Sequence, residues 1–332
     1  MVRFTVLASG SKGNSAVVSG GRTRILVDCG LSCRELFRRM RMVGEEPESL
    51  DAIVITHEHM DHVNGLAVTA RKLGIPVYFT EATYRAWMRW LTPRRQMTYA
   101  QWLEQCRKLA AERQAEADAA QACEQDEQDA EIQLENVAAE AETVLADDEA
   151  QTAPDGPPSR KQDPTWLPAV EYFQAGEAFE IGDIGVSPFT IPHDAADPVG
   201  FVFRAEGVRV ACATDLGYIP PNVKAQLKGV DLLLIESNHD LEMLRDGPYP
   251  WSVKQRVLSR VGHLSNEATA DYLEKVYDGQ AAYVILAHLS ESNNLPELAR
   301  VTAERALDGR ASLLANRLLL AAQHEPLSPI SF

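Results

Sequence analysis

No stretch of this 332-residue chain approaches the 18 consecutive apolar residues that a membrane-spanning helix needs. Nor does an apolar segment follow a basic start, as in a secretory leader. The expected setting is therefore cytoplasmic, with no membrane partner. Cysteine is scarce: Cys29, Cys33, Cys106, Cys123 and Cys212 are odd in number and form no Cys-x-x-Cys pair. That argues against a disulfide framework and against thiolate metal ligation, and leaves reduced thiols that mostly pack. No internal repeat is visible at the level of motifs.

Positive charge is also in deficit, with 32 Lys+Arg against 48 Asp+Glu and a net charge of −16. Taken as a sum, this disfavours a nucleic-acid ligand. Its distribution changes that reading. Residues 101–163 carry 5 Lys+Arg and 17 Asp+Glu, a net −12, so the other 269 residues carry only −4. The same segment is rich in Ala, Glu, Gln and Asp and has almost no Gly. It closes on the Pro-rich stretch Thr152-Ala153-Pro154-Asp155-Gly156-Pro157-Pro158-Ser159. The composition predicts a helix from about Tyr99 to Ala122 running into an acidic, disordered tract. Residues 99–165 are read as an insertion within a single domain of residues 1–332. A solvated spacer is the simplest role for it, and a protein-contact arm the alternative.

Against this background one segment is dense in metal-binding side chains. Thr56-His57-Glu58-His59-Met60-Asp61-His62 follows the apolar run Ala52-Ile53-Val54-Ile55, which reads as a buried strand. His57 and His59, two apart, can converge on one ion, and Asp61 and His62 begin a second group. A dinuclear site needs further ligands at strand ends, where α/β sheets collect them. Three apolar runs end suitably: residues 186–191 before His193, residues 208–213 before Asp215, and residues 281–287 before His288. Each alone could be a cap or a satisfied loop residue. Together with the first cluster they make seven ligands, five of them imidazoles, a set suited to two borderline-soft cations.

With these residues in place the sequence resembles the metallo-β-lactamase fold superfamily. The resemblance implies an α/β, αββα sandwich of two mixed β-sheets flanked by helices. It also implies one metal on His57, His59 and His193, a second on Asp61, His62 and His288, and Asp215 bridging. Asp28 matches the family's early aspartate, which supports the site from behind. Relatives with diiron redox chemistry carry glutamate where His59 stands, so hydrolysis is expected. The lack of a leader argues against a secreted antibiotic-degrading enzyme. Phe4 to Ser15, Pro192 to Phe201, Ile235 to Asp240, Gly262 to Asn266 and His288-Leu289-Ser290 are similar to the YycJ/WalJ branch, covering about residues 1–98 and 166–325. That branch implies a metal-dependent 5′-3′ DNA exonuclease with Zn²⁺ or Mn²⁺.

The implied mechanism sets two cations roughly 4 Å apart, with a bridging hydroxide as nucleophile. Asp61 is placed in the catalytic as well as the ligand set. His263, oriented by Glu236, is the candidate proton donor to the leaving alkoxide. A helix-turn residue before a helix capped by Ser265 is the competing reading of His263. Ser11 and Asn14, in the loop after the first strand, are candidates to hold phosphate, although a tight hairpin turn explains that loop nearly as well. Asp215 and His288 are 73 positions apart and His193 and Asp215 are 22 apart, which leaves no room for the clamping domain or the tRNA-gripping arm of RNA-processing relatives. A small-molecule esterase, lactonase or cyclic phosphodiesterase remains open. A non-catalytic scaffold would have lost ligands, and this chain keeps all seven. The sequence carries no signal of oligomeric state.

Overall fold

Two kinds of strand sequence build the two sheets. Central strands read as unbroken buried apolar runs, as in β4 (Ala52–Val54) and β11 (Leu232–Glu236), the pattern of strands covered on both faces. Strand β8 (Ile184–Thr190) alternates buried and half-buried positions over its first residues, and it pairs antiparallel with both neighbours. The structure is a computed structural model and describes residues 1–92, 107, 163, 165–307 and 317–332.

The first sheet uses β1 (Arg3–Ala8), β2 (Ser15–Ser19), β3 (Arg24–Val27), β4, β5 (Val77–Phe79), β6 (Val170–Tyr172) and β14 (Ile330–Ser331). Its order is β14-β1-β2-β3-β4-β5-β6, antiparallel up to β3 and parallel from β3 to β6. The second uses β7 (Phe179–Ile181), β8, β9 (Val199–Ala205), β10 (Val208–Ala213), β11, β12 (Tyr283–Ala287) and β13 (Arg317–Leu320), ordered β13-β12-β11-β10-β9-β8-β7. Strands β10 to β13 run parallel and β7 to β10 antiparallel.

Alternating side chains then decide the layers. Phe4, Val18, Ile25 and Val54 of the first sheet meet Val186, Phe201, Phe203, Val210 and Ile285 of the second in one buried cluster. On the outer face of the first sheet, Leu7, Leu26 and Ile53 bury against α1 (Cys33–Met42), α3 (Leu66–Leu73) and α4 (Glu81–Leu91) through Leu36, Met40, Leu66 and Trp87. Helix α2 (Met60–Val63) is a single turn between β4 and α3. On the outer face of the second sheet, Val202, Leu233 and Val284 bury against α5 (Pro221–Gln226), α8 (Asn266–Lys275) and α9 (Pro296–Leu307). The short α6 (Leu241–Asp246) and α7 (Trp251–Val257) lie between β11 and α8 in the chain. The result is the expected αββα sandwich of two mixed sheets.

The main compact unit comprises residues 1–92 with 160–332. The helix expected near Tyr99–Ala122, the acidic tract after it, Cys106 and Cys123 lie outside the described residues. Asp163 and Thr165, which composition assigns to the insertion, belong to the main unit. Arg71 donates to the Asp163 carbonyl at 3.0 Å, and Asp163 Oδ1 accepts from the Thr165 N–H at 2.8 Å. Edge strands β6, β13 and β14 and helices α2 and α6 were not expected from the sequence. They are too short for a residue period to mark them in the sequence.

Candidate metal centre

The seven candidate ligands come together where β4, β8, β10 and β12 end. Three residues that enter the site do so through left-handed backbone: Asp28 (φ 59°), Asp215 (φ 63°) and His288 (φ 56°). Such conformations cost free energy in non-glycine residues and gather at functional sites. Here each turns a side chain inward straight after a strand.

His57, His59 and His193 form one face. His57 Nε2 and His193 Nε2 stand 3.1 and 3.2 Å from His59 Nδ1. One ring nitrogen offers one lone pair or one proton, so it cannot satisfy both neighbours. Two nitrogens bound at about 2.0–2.1 Å to one tetrahedral ion would be about 3.4 Å apart, close to the edges seen. The outward nitrogens are held: His57 Nδ1 lies 3.0 Å from Thr56 Oγ1, and His193 Nδ1 3.2 Å from the Gly262 carbonyl. Burial, reinforced by the neighbouring imidazoles, pushes His57 and His59 below the usual histidine range. Burial also lowers His193 against the pull of Asp215. Neutral rings are what a cation needs.

Asp61, His62 and His288 form the second face. Asp61 Oδ2 is 3.4 Å from His62 Nε2 and 3.5 Å from His288 Nε2. Each ring is fixed from behind by a carboxylate. Asp28 Oδ2 meets His62 Nδ1 at 2.8 Å, and Glu236 Oε1 meets His288 Nδ1 at 2.8 Å. Asp28 also accepts from the Thr56 N–H at 2.8 Å, which locks the ligand loop to β3. Such carboxylate–histidine pairs set the tautomer of metal ligands and aim the other nitrogen inward. Burial opposes charge on His62 and His288, yet the carboxylates raise both well above the ordinary value: Asp61, Asp28 and Asp215 at His62, Asp215, Asp61 and Glu236 at His288.

Asp215 lies between the faces. Its Oδ2 is 3.4 Å from His62 Nε2, and its Oδ1 is 4.0 Å from His193 Nε2 and 3.4 Å from His288 Nδ1. Asp215 Oδ2 and His288 Nε2 are buried with no hydrogen-bond partner. Orphaned buried polar atoms of this kind cost about 1–3 kcal/mol each, and more when charged. Four carboxylates crowd the site, and cations would answer both deficits. The donor set therefore fits two divalent ions, with His57/His59/His193 and Asp61/His62/His288 among the convergent groups.

Glu236 is fully buried and fully engaged. Its Oε1 accepts from His263 Nδ1 as well as from His288, both at 2.8 Å, and its Oε2 accepts from the N–H groups of Leu216 and Leu264 at 2.8 and 3.0 Å. Burial favours its acid form, but the charge and hydrogen bonds of His263 and His288 outweigh that and hold the carboxyl well below its usual range. His263 is raised, because Glu236 more than offsets its burial. His263 borders a cavity of about 410 Å³ that also opens on His59, Asp61, Asp215 and His288.

Ser11 lines that cavity, whereas Asn14 is not among its lining residues. The Asn14 side chain closes the β1–β2 turn, with Oδ1 accepting from the Gly10 N–H at 2.8 Å. Its Nδ2 donates to the Gly10 carbonyl and lies 3.1 Å from Asp61 Oδ2 and 3.0 Å from His62 Nε2. It therefore braces ligands rather than facing open space. Ser265 caps α8 by accepting from the Ala268 N–H at 3.1 Å, so the capped helix and the Glu236–His263 pair coexist.

Sequence reasoning missed Arg256, which lines the cavity and forms an ion pair with Asp194. Asp194 stood beside His193 in a motif already singled out. Arg256, some 60 residues on, has no spacing signal. Glu58 was also missed. Its Oε1 accepts from the Ala196 N–H at 2.9 Å and joins the two ligand loops.

The metallo-beta-lactamase superfamily model matches residues 8–288. An exodeoxyribonuclease YycJ of Bacillus anthracis is 31% identical over 307 residues, covering 92% of this chain and 89% of that protein. An exodeoxyribonuclease WalJ of Streptococcus pneumoniae is 30% identical over 300 residues, covering 90% and 86%. Among solved structures, the metallo-beta-lactamase fold protein YhfI of Bacillus subtilis superposes with a TM-score of 0.58 at 13% identity. It covers 98% of this chain and 99% of that one, a likeness of fold alone.

Proposed function

The chain belongs to the metallo-β-lactamase superfamily, in its YycJ/WalJ branch, and is a hydrolase; from that premise we propose that it is a cytoplasmic 5′-3′ DNA exonuclease using two divalent ions, Zn²⁺ or Mn²⁺. The observation that carries this reading is the hydrogen-bonded pair Glu236–His263, whose imidazole borders the same cavity as the convergent ligand atoms. His57, His59 and His193 would hold one ion, Asp61, His62 and His288 the other, and Asp215 both. When bound, the ions polarise a phosphoryl oxygen and supply a nucleophile at neutral pH.

The chain's own groups do the rest. Arg256 is the one Lys or Arg among the cavity's lining residues. Asp194 orients its guanidinium, and a planar, permanently charged fork suits a phosphate oxygen. Ser11, in the same lining, adds a hydroxyl toward that anion. With Nδ1 on Glu236 and its hold on a proton strengthened by that carboxylate, His263 would pass a proton to the departing alkoxide. Such a donor is worth about 10²–10⁴ in rate. A carboxylic ester or lactone is uncharged and would make no use of the Arg256 guanidinium. That favours a phosphodiester over the small-molecule esterase alternative. Residues 99–165 serve as a spacer in this reading.

The test is a metal-supplemented assay on end-labelled single- and double-stranded DNA and RNA, with a carboxylic ester as control. Release of mononucleotides from the 5′ end of DNA is expected. Ester hydrolysis without DNA cleavage would replace this reading with the esterase one.

A further inference from the structure

Beyond the ions and the proton donor, the cavity contains groups that neither hydrolysis nor metal binding uses. Trp90, near the end of α4, lines it while 67% exposed, and Tyr249, in the segment before α7, lines it as well. Asn293 lines it too. That residue is 99% buried, and both its Nδ2 and its Oδ1 lack any hydrogen-bond partner. A buried amide with neither donor nor acceptor satisfied points to a ligand that brings both. Two aromatic rings, one adjacent donor–acceptor pair and one guanidinium match the parts of a nucleotide: a flat base, a polar edge or sugar, and a phosphate.

Size and charge narrow the occupant. About 410 Å³ is near the low end for pockets that enclose a small molecule, so one nucleotide fits and a base pair does not. Duplex binding draws on many Lys and Arg contacts to phosphate, and the described lining of this cavity offers one. Stacking on an aromatic needs no charge and strengthens binding by about 5- to 150-fold per base. Opening one terminal step of a duplex weakens it by only about tenfold. Stacking can therefore cover the unpairing.

Resting on the exonuclease reading, we propose that the cavity takes a single unpaired nucleotide from a DNA end, its base stacked on Trp90 and Tyr249 and its polar atoms held by Asn293. A duplex end then has to fray before it is cut.

The experiment uses the full metal-loaded chain. DNA duplexes whose terminal pairs are G·C or mismatched are compared with a single strand and with methyl p-nitrophenyl phosphate, which carries no base. The parent should cleave the mismatched end about tenfold faster than the G·C end. Trp90→Ala should raise KM for DNA at least fivefold more than KM for the small diester, and Trp90→Phe should recover most of the loss. Trp90 is largely exposed, so its replacement leaves the core intact, and metal content checks this. Indifference to terminal pairing, or equal KM effects on both substrates, would overturn the subsite while leaving the exonuclease reading standing. A parent that hydrolyses the small diester but no DNA would remove both.

Discussion

Glu236 Oε1 lies 2.8 Å from His288 Nδ1, and the same oxygen lies 2.8 Å from His263 Nδ1. One carboxylate thus orients a candidate metal ligand and the candidate proton donor together. From the sequence, Glu236 had only His263 to orient.

The shared oxygen separates two variants. His263→Ala should lower the rate on DNA by about two to four orders of magnitude with metal content intact. The loss should shrink for a p-nitrophenyl ester, whose leaving group departs without a proton. Glu236→Gln places an NH₂ where donors already point, so it should lower both the rate and the metal content. Elemental analysis beside turnover numbers decides this. Equal slowing of both substrates by His263→Ala would end its role as proton donor.

Metal content itself is predicted at about two divalent ions per chain. His57→Ala, Asp61→Ala and Asp215→Ala should each reduce it. Chelation should also lower the melting temperature, because it leaves Asp28, Asp61, Asp215 and Glu236 crowded together without cations. A chain that purifies without metal, or three variants with full occupancy, would refute the assignment of these residues.

A third prediction rests on backbone packing. A Cβ at Gly30 would lie 1.7 Å from the Asp61 carbonyl oxygen and 2.6 Å from the Asn14 nitrogen. Those two atoms are hydrogen-bonded to each other at 2.7 Å. Gly30→Ala must therefore push the ligand loop away, costing about 1–3 kcal/mol or more and loosening the ion at Asp61. Gly44→Ala is the control. Its φ of 73° carries a left-handed penalty of about 1–2 kcal/mol, but no atom lies within 4 Å of its Cβ. Thermal melts should show both variants destabilised, and metal analysis should show only Gly30→Ala depleted.

Much of the sandwich could be read from apolar runs and their ends. The strands that carry Thr56–His62, His193, Asp215 and His288 are long or strongly apolar, and each ligand directly follows one. The contacts that give the site its tuning could not be read in this way. Asp28 with His62, and Asp194 with Arg256, join residues 34 and 62 positions apart, and only the folded sheets set those pairings. Asn14 shows the opposite limit. Its loop signal was real, but local chemistry could not tell a phosphate contact from a brace on Asp61 and His62. The cavity lining of Trp90, Tyr249 and Asn293 has no sequence period at all, because three separate segments supply it.

The last prediction concerns the acidic segment. Residues 101–163 carry three-quarters of the net charge in under a fifth of the chain, and every candidate ligand lies outside them. Asp163, however, is tied to Arg71 and Thr165, and Leu167 is buried against the first sheet. A deletion should therefore end before residue 160. Removing residues 101–159 behind a short Gly/Ser linker should preserve metal content and turnover of a small phosphodiester. It should also raise affinity for DNA at low salt, since residues 101–159 hold 3 Lys+Arg against 16 Asp+Glu, so a net −13 leaves with the segment and repulsion of phosphate falls with it. The gain should fade as ionic strength rises and screens it. A shortened chain that fails to fold would show that the segment packs on the core, and an unchanged DNA affinity at low salt would remove its electrostatic role.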